Sequence, residues 1–483
     1  MNRDLAHQSI AVIGYGVTGR ACVRFLLSQK AKVCVLDRDV NIQEKVAGER
    51  NDDVNDDVSV SAAVFDSAMS LSSFSIVVVS PGVNPNLPCF VDYRHQGGVL
   101  IGDIELFAWF NTTPLIGITG SNGKTTVTDM LGKVLTHAGL QVELAGNYGK
   151  CALDLLLEET TRIKPLDVVV LELSSYQLEM TESLQLEFAT VLNITEDHLD
   201  RHGSFEAYKL AKQRIFNMTK NIIVCRDEAL SYPDNGLENN PANSAQENQQ
   251  KTRRICANVG LKSTNTGYSI SNDQTTLEPC IQFDGESLIK VSELRLKGSH
   301  NYINAMIVLA VCDQLMLDRE RTIPAICAYE GLPHRFQTIH VSSQIVGDKA
   351  STIKWINDSK ATNVGACQAA LACFKNTDDY LVLIAGGDAK GVDLLPLKQL
   401  INTQVKHLVV LGKDAPKFIE LVPTAVCVQD LQEAVSTALS LLQKADYENA
   451  VVLLSPACAS LDMFTNYQER GDVFVNAVKE QVA

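Results

Sequence analysis

The stretch Gly117-Ile118-Thr119-Gly120-Ser121-Asn122-Gly123-Lys124-Thr125-Thr126 sets glycines, one lysine and several hydroxyls between an apolar run and a helical one. These residue types in this order suit a triphosphate. Glycines let backbone amides curl around phosphate oxygens, Lys124 reaches the β/γ-phosphates, and the Thr125 hydroxyl can ligate Mg²⁺. A strict P-loop would carry glycine where Ile118 stands, so the spacing is a variant. A chance Gly-rich turn is the bland alternative, and the strand–loop–helix setting argues against it.

A nucleotide loop of this kind needs an acid nearby to hold its metal. The run DVVVLE (167–172) ends on Glu172, which fits, although a buried strand can also end on a solvated glutamate. A second strand-like run, 190–193, leads into ITEDHLDRH, where His198, His202 and several acids share one loop. Metal and substrate sites concentrate in such loops, whereas a lone histidine is more often structural.

Nearer the N-terminus, Gly14-Tyr15-Gly16-Val17-Thr18-Gly19 follows an apolar run and precedes a helical one, with Asp37 about twenty residues on. The glycines permit a tight turn, and a helix N-terminus offers free N–H groups to a diphosphate. The obvious reading is a dinucleotide site and an NAD-dependent oxidoreductase. The plain one is a Rossmann-like domain whose glycines serve packing. The glycines do not say which diphosphate ligand is meant.

The elements that must position these residues alternate strand-like and helical runs almost throughout, the pattern of parallel α/β architecture. Strand-like runs occupy 9–13, 32–36, 76–79, 115–118, 168–171, 190–193, 380–384, 408–411 and 451–454. At 483 residues the chain exceeds a single ordinary core. Proline-containing junctions near 112–114 and 332–333 predict three domains, 1–110, 111–331 and 332–483. The polar stretch 231–254 reads as an exposed insertion and the acidic 51–60 as a solvated surface. A net charge of −15 argues against nucleic acid as a partner, and no run approaches the length of a membrane span. The thirteen cysteines are scattered without metal spacing. With no basic-plus-apolar leader, they predict a reducing cytoplasm.

In order along the chain, GITGSNGKTT, LELSSYQLE (171–179), NITEDHLDRH (193–202), KGSHNYINA (297–305), GLPHRF (331–336), NDSKATN (357–363), GGDAKGVD (386–393) and SPACASLDMF (455–464) resemble the Mur ligase family. The resemblance implies an N-terminal Rossmann-like UDP-binding domain, a central P-loop ATPase-like domain with a parallel sheet, and a C-terminal Rossmann-like domain for the incoming amino acid. It assigns Gly120, Ser121, Asn122, Gly123, Lys124, Thr125 and Thr126 to the ATP phosphates. Asn147, Asn301 and Asn304 go to the adenine side. His334, Arg335 and Asp358 become the third domain's grip on the nucleotide. Two Mg²⁺ ions are implied, held by Thr125, Glu172, His198 and Lys212, the lysine as a carbamate. From the residues alone Lys212 would be an ordinary surface helix lysine. Val17, Thr18, Asp37, Arg38, Ser80, Pro81 and Gly82 would hold the UDP-sugar.

Within the family the pattern is most similar to the branch that adds D-glutamate to UDP-N-acetylmuramoyl-L-alanine. Lys360, Thr362, Lys390, Ser460, Leu461 and Tyr467 would then receive the amino acid, and a monomer is expected. A sibling using another amino acid, a dehydrogenase and a non-enzymatic P-loop switch are the rival readings. Cys458, with no histidine in its block, reads as packing rather than a nucleophile.

Overall fold

The computed structural model describes residues 4–48, 60–159, 161–233, 254–273, 275–346, 349–375 and 377–482. The two surface stretches expected at 51–60 and 231–254 lie almost wholly outside them. Three α/β sheets form, and the chain divides into two compact units. The first unit comprises 1–194, 206–289 and 305–326, and the second 195–205, 290–304 and 327–483.

The first unit contains two sheets. Its N-terminal sheet has β1 (Ser9–Ile13), β2 (Lys32–Asp37), β3 (Val60–Val64), β4 (Ile76–Val79) and β5 (Val99–Ile101), in the order β3-β2-β1-β4-β5. All its described pairings are parallel. The order reverses at β1, so loops leaving β1 and β4 open a crevice at the strands' carboxyl ends.

The larger sheet has β6 (Leu115–Thr119), β7 (Val142–Gly146), β8 (Val168–Glu172), β9 (Phe188–Val191), β10 (Asn221–Cys225), β11 (Arg254–Val259), β12 (Tyr268–Asn272), β13 (Pro279–Phe283) and β14 (Glu286–Lys290). Its order is β14-β13-β12-β11-β10-β9-β6-β8-β7. Strands β6, β8 and β9 are buried along their length, as strands covered on both faces must be. Ile118 of β6 pairs with Glu172 of β8 and Thr190 of β9, so three loops leave the sheet at one level. The strand expected at 190–193 is shifted to Phe188–Val191: Leu192 N makes the last bond to β6, at Thr119 O, and Asn193 turns to meet the glycine loop.

The second unit's sheet has β15 (Gln337–Val346), β16 (Lys349–Asn357), β17 (Tyr380–Gly386), β18 (Val405–Leu411), β19 (Val426–Cys427) and β20 (Asn449–Leu454), ordered β15-β16-β20-β17-β18-β19. Leu454 of β20 pairs with both Asn357 of β16 and Ile384 of β17. The three following loops therefore emerge side by side. Leu381, Leu383, Leu453 and Phe418 pack on one face of this sheet, and Val382, Ile384, Val452 and Trp355 on the other.

Candidate active site

The glycine loop between β6 and the helix Lys124–His137 is built around two unusual backbone angles. Gly120 has φ +152° and Gly123 has φ +83°, which a side chain would resist. A Cβ on Gly120 would lie 3.0 Å from Leu192 Cβ. Asn193 clasps the loop: its Oδ1 accepts from Asn122 N at 2.8 Å, its carbonyl from Ser121 N at 2.9 Å, and its Nδ2 donates to Asn122 O at 3.1 Å. Lys124 Nζ curls back onto the carbonyls of Gly120 and Ser121, at 2.8 and 3.0 Å. An incoming anion can take over that ammonium without moving the backbone.

Glu172 ends β8 beside this loop and is 1% exposed. Its Oε1 accepts from Asn147 Nδ2 at 2.7 Å. Its Oε2 is buried with no hydrogen-bond partner among the described residues. A buried oxygen left open costs energy unless something fills it. The strand leading into the glycine loop pairs with Glu172, and the Thr125 hydroxyl in the first turn of the following helix could add a second oxygen ligand, which suits Mg²⁺. Among the described residues no three His, Cys, Asp or Glu side chains form a ready-made metal cage, so further donors must come from the ligand, water or a modified side chain.

Lys212 is not the surface lysine that its helix position suggests. It is 2% exposed, donates to Gly120 O at 2.8 Å, and lies 4.7 Å from the centre of the Tyr208 ring. The Tyr208 hydroxyl in turn meets Ser121 Oγ at 2.8 Å. Neither Tyr208 nor Asn193 was singled out from the sequence. Asn193 carried a usable signal as a polar residue at a strand's carboxyl end, whereas Tyr208 looked like one more helix aromatic.

At the N-terminal sheet, Gly14 (φ +89°) turns the chain off β1, and the helix Val17–Ser28 starts at Gly16 with no side-chain cap. Its first amides are therefore available to an anion. Ser80 Oγ donates to Gly14 O at 3.0 Å, joining the β1 and β4 loops. Asp37 is engaged with the backbone: one oxygen accepts from Tyr15 N at 2.6 Å and the other from Asp39 N at 2.9 Å. It shapes the glycine loop. Val17 is 75% exposed, and Arg38 is exposed as well.

In the second unit, His198 (φ +53°) receives its own loop's support from Asp197, whose Oδ1 accepts the His198 amide at 2.9 Å. Asn363 Nδ2 donates to Asp197 Oδ2 at 3.3 Å. Asn301 and Asn304, on the helix Ser299–Gln314, are buried and linked at 3.1 Å. His334 stands next to Asn357 Nδ2 at 3.0 Å, and burial pushes its imidazole below the usual range. Asp358 accepts from Phe336 N and Ser455 Oγ, and burial pushes its carboxyl up to about 7.

Lys360 Nζ lies 4.1 Å from the centre of the Tyr467 ring, a cation–π pair. The β17 and β20 loops are tied by reciprocal backbone bonds between Asp388 and Ala459, which places Lys390 (φ +51°) on the same edge as Ser460. Arg470, 2% exposed, fixes the arrangement from beneath. It donates to Ser359 Oγ, Ser359 O and Cys458 O at 3.0, 2.8 and 3.0 Å. Nothing in YQERGDVF marks it out, since the run reads as an ordinary helical stretch. Cys458 is fully buried with its thiol pushed well up, so it packs and does not react.

Of the expected sites, Lys124, Thr125, Glu172, Lys212 and Asn147 fall in the first unit with the UDP-side residues. His198, Asn301, Asn304, His334, Arg335, Asp358 and the amino-acid set fall in the second.

Comparison with known proteins gives matches along nearly the whole chain. Residues 8–102 match the family described as Mur ligase MurD-like, N-terminal domain. Residues 118–312 match Mur ligase middle domain, and 334–458 match Mur ligase, glutamate ligase domain. The UDP-N-acetylmuramoylalanine--D-glutamate ligase of Pseudoalteromonas translucida is 35% identical over 475 residues, covering 98% of each chain. The Escherichia coli protein of the same name is 35% identical over 488 residues, covering 99% of each. Among solved structures, UDP-N-acetylmuramate-alanine ligase MurC of Thermotoga maritima aligns over 98% of this chain and 100% of its own. Its TM-score is 0.56 at 17% identity, a likeness of fold.

Proposed function

The chain belongs to the Mur ligase family, and on that premise we infer that it is the ATP-dependent ligase joining D-glutamate to UDP-N-acetylmuramoyl-L-alanine in peptidoglycan precursor synthesis. One observation carries the reading most directly. The Lys124 loop leaves its strand level with Glu172, whose second carboxylate oxygen is buried and open. A dehydrogenase has no use for that pair.

The reaction begins with the alanyl carboxylate attacking the γ-phosphorus of ATP, breaking its bond to the β-bridging oxygen and releasing ADP. The amine of D-glutamate then attacks the acyl phosphate carbon. The amide forms as phosphate leaves and the nitrogen loses a proton. Activation is needed because a carboxylate is a poor electrophile. Two anions must meet, so positioning and charge neutralisation dominate. Lys124 and the loop amides hold the phosphates; at an effective dielectric near 20, each unit charge pair at about 4 Å is worth on the order of 4 kcal/mol. Magnesium, bound through Glu172, Thr125 and His198, would supply further neutralising charge. Lys212 joins that set as a carbamate, which turns a donor-only ammonium into a carboxylate-like ligand.

The UDP-sugar is held by Val17, Thr18, Asp37, Arg38 and the Ser80–Pro81–Gly82 turn, with Asp37 also bracing the glycine loop. Asn147, Asn301, Asn304, His334, Arg335 and Asp358 serve the nucleotide. Lys360, Thr362, Lys390, Ser460, Leu461 and Tyr467 receive D-glutamate. The functional domains are 1–110, 111–331 and 332–483, and the protein works as a monomer in the cytoplasm. Among the described residues, no helix is long and apolar enough to cross a membrane.

Phosphate release with UDP-N-acetylmuramoyl-L-alanine against a panel of L- and D-amino acids tests the reading. D-glutamate alone should yield one phosphate per new amide. Equal turnover with another amino acid, or none with D-glutamate, would overturn it.

A further inference from the structure

Asp103 opens the helix Asp103–Ala108 just beyond β5 and is only 6% exposed. Its Oδ2 accepts from Gln177 Nε2 at 3.1 Å, while Oδ1 is buried with no partner among the described residues. Burial pushes this carboxyl up to about 6, which leaves it mainly ionised at neutral pH. The next turn is pinned as well. Glu105 accepts from Glu182 N, Ser183 N, Ser183 Oγ and Trp109 Nε1, at 2.7, 2.9, 2.7 and 2.8 Å. On the other side Gly102 N donates to Met180 O at 3.4 Å, so the seam between the N-terminal sheet and the segment after β8 is held on both sides of Asp103.

Gln177 is the partner that gives Asp103 leverage. An ionised carboxylate only accepts hydrogen bonds. Facing it, the Gln177 amide must present Nε2 and turn Oε1 away, because the flipped amide would set two acceptors together. The outward Oε1 then accepts from Ser174 N at 3.1 Å, and Ser174 Oγ accepts from Gln177 N at 3.1 Å. That reciprocal capping box starts the helix Ser175–Glu179 two residues past Glu172. Leu173, between them, is fixed from the other side: its N–H donates to Ile118 O at 2.9 Å and its carbonyl accepts from Thr119 Oγ1 at 2.7 Å.

We propose that Asp103 is a positioning residue for Glu172, dictating the Gln177 amide orientation and so the peptide from which the open Glu172 carboxylate oxygen is presented. The proposal rests on Glu172 being the metal acid inferred above. It ties the N-terminal sheet to the phosphate chemistry through three side chains.

The test measures Mn²⁺ binding in the presence of ADP by electron paramagnetic resonance, alongside kcat, the KM of each substrate and the melting temperature. Asp103→Leu should weaken Mn²⁺ about tenfold and lower kcat by a similar factor, the scale of lost support behind a metal ligand, with the KM for D-glutamate unchanged. Asp103→Asn keeps an acceptor of the same shape and should recover to within about threefold of wild type. Gln177→Leu should match Asp103→Leu, and the double variant should be no worse than either alone. Wild-type Mn²⁺ binding in Asp103→Leu, additive losses, or losses that follow melting temperature alone would overturn the proposal. Absence of Mn²⁺–ADP binding in the wild type would instead remove the reading of Glu172 itself.

Discussion

Lys212 shows how far a residue's meaning depends on what surrounds it. In sequence it sits in YKLAK, one lysine among helix formers. In the fold it is enclosed, next to the Tyr208 ring and against the carbonyl of Gly120. Burying a long cationic side chain is costly, so a lysine kept there has a task. If that task is to carry a carbamate, Lys212→Ala should lose on the order of a hundredfold in turnover and regain part of it with added acetate or formate. Turnover measured across a carboxylate titration decides this, and a flat response would leave Lys212 as a plain cation. The types and order of Lys124, Thr125 and Glu172 were readable because phosphate chemistry demands them. Asp103, Gln177 and Arg470 were not, because their work is to orient neighbours and any polar residue at those positions looks alike until folded. Asp37 reads as a ligand contact by motif, and the fold adds a second task, since both of its carboxylate oxygens also accept from the backbone of neighbouring loops.

At the scale of elements, the glycine turns are the most demanding features. A Cβ on Gly19 would fall 1.9 Å from Gly14 O, so the helix Val17–Ser28 packs against its own loop as only glycine allows. Gly19→Ala should cost about 1–3 kcal/mol of stability, the usual scale for overpacking, and should weaken UDP-sugar binding by spreading the loop. Denaturant melts and a UDP-sugar titration check both, and unchanged values would mean the loop relaxes freely. The buried strands β1, β4, β6, β8, β17 and β20 were legible as short apolar runs bounded by glycine or polar residues. By contrast β12 to β14, with SISN, CIQF and ESLIK, alternate too weakly to announce strands, and the antiparallel pairing of β12 with β13 comes from tertiary context. The shift of β9 by two residues has a local cause, since Asn193 is worth more clasping the glycine loop than extending the ladder.

For the whole molecule, an acidic surface and a phosphorylated substrate coexist because the positive potential is local, from helix N-termini and single buried cations. Ligand binding should therefore register as stability. At a hundred times its Kd, UDP-N-acetylmuramoyl-L-alanine should add about 2.7 kcal/mol to the unfolding free energy by mass action, read as a rise in melting temperature. No rise at saturation would contradict a preformed UDP site. The two compact units are interlaced along the chain: 195–205 and 290–304 belong with the C-terminal unit although the chain returns to the first unit after each. No single break in the gene would yield two self-sufficient products. A fragment beginning at residue 327 would lack both borrowed segments, and one ending at 326 would carry them with nothing to fold upon, so splitting this enzyme for complementation or domain exchange calls for four further junctions, one at each end of the two segments.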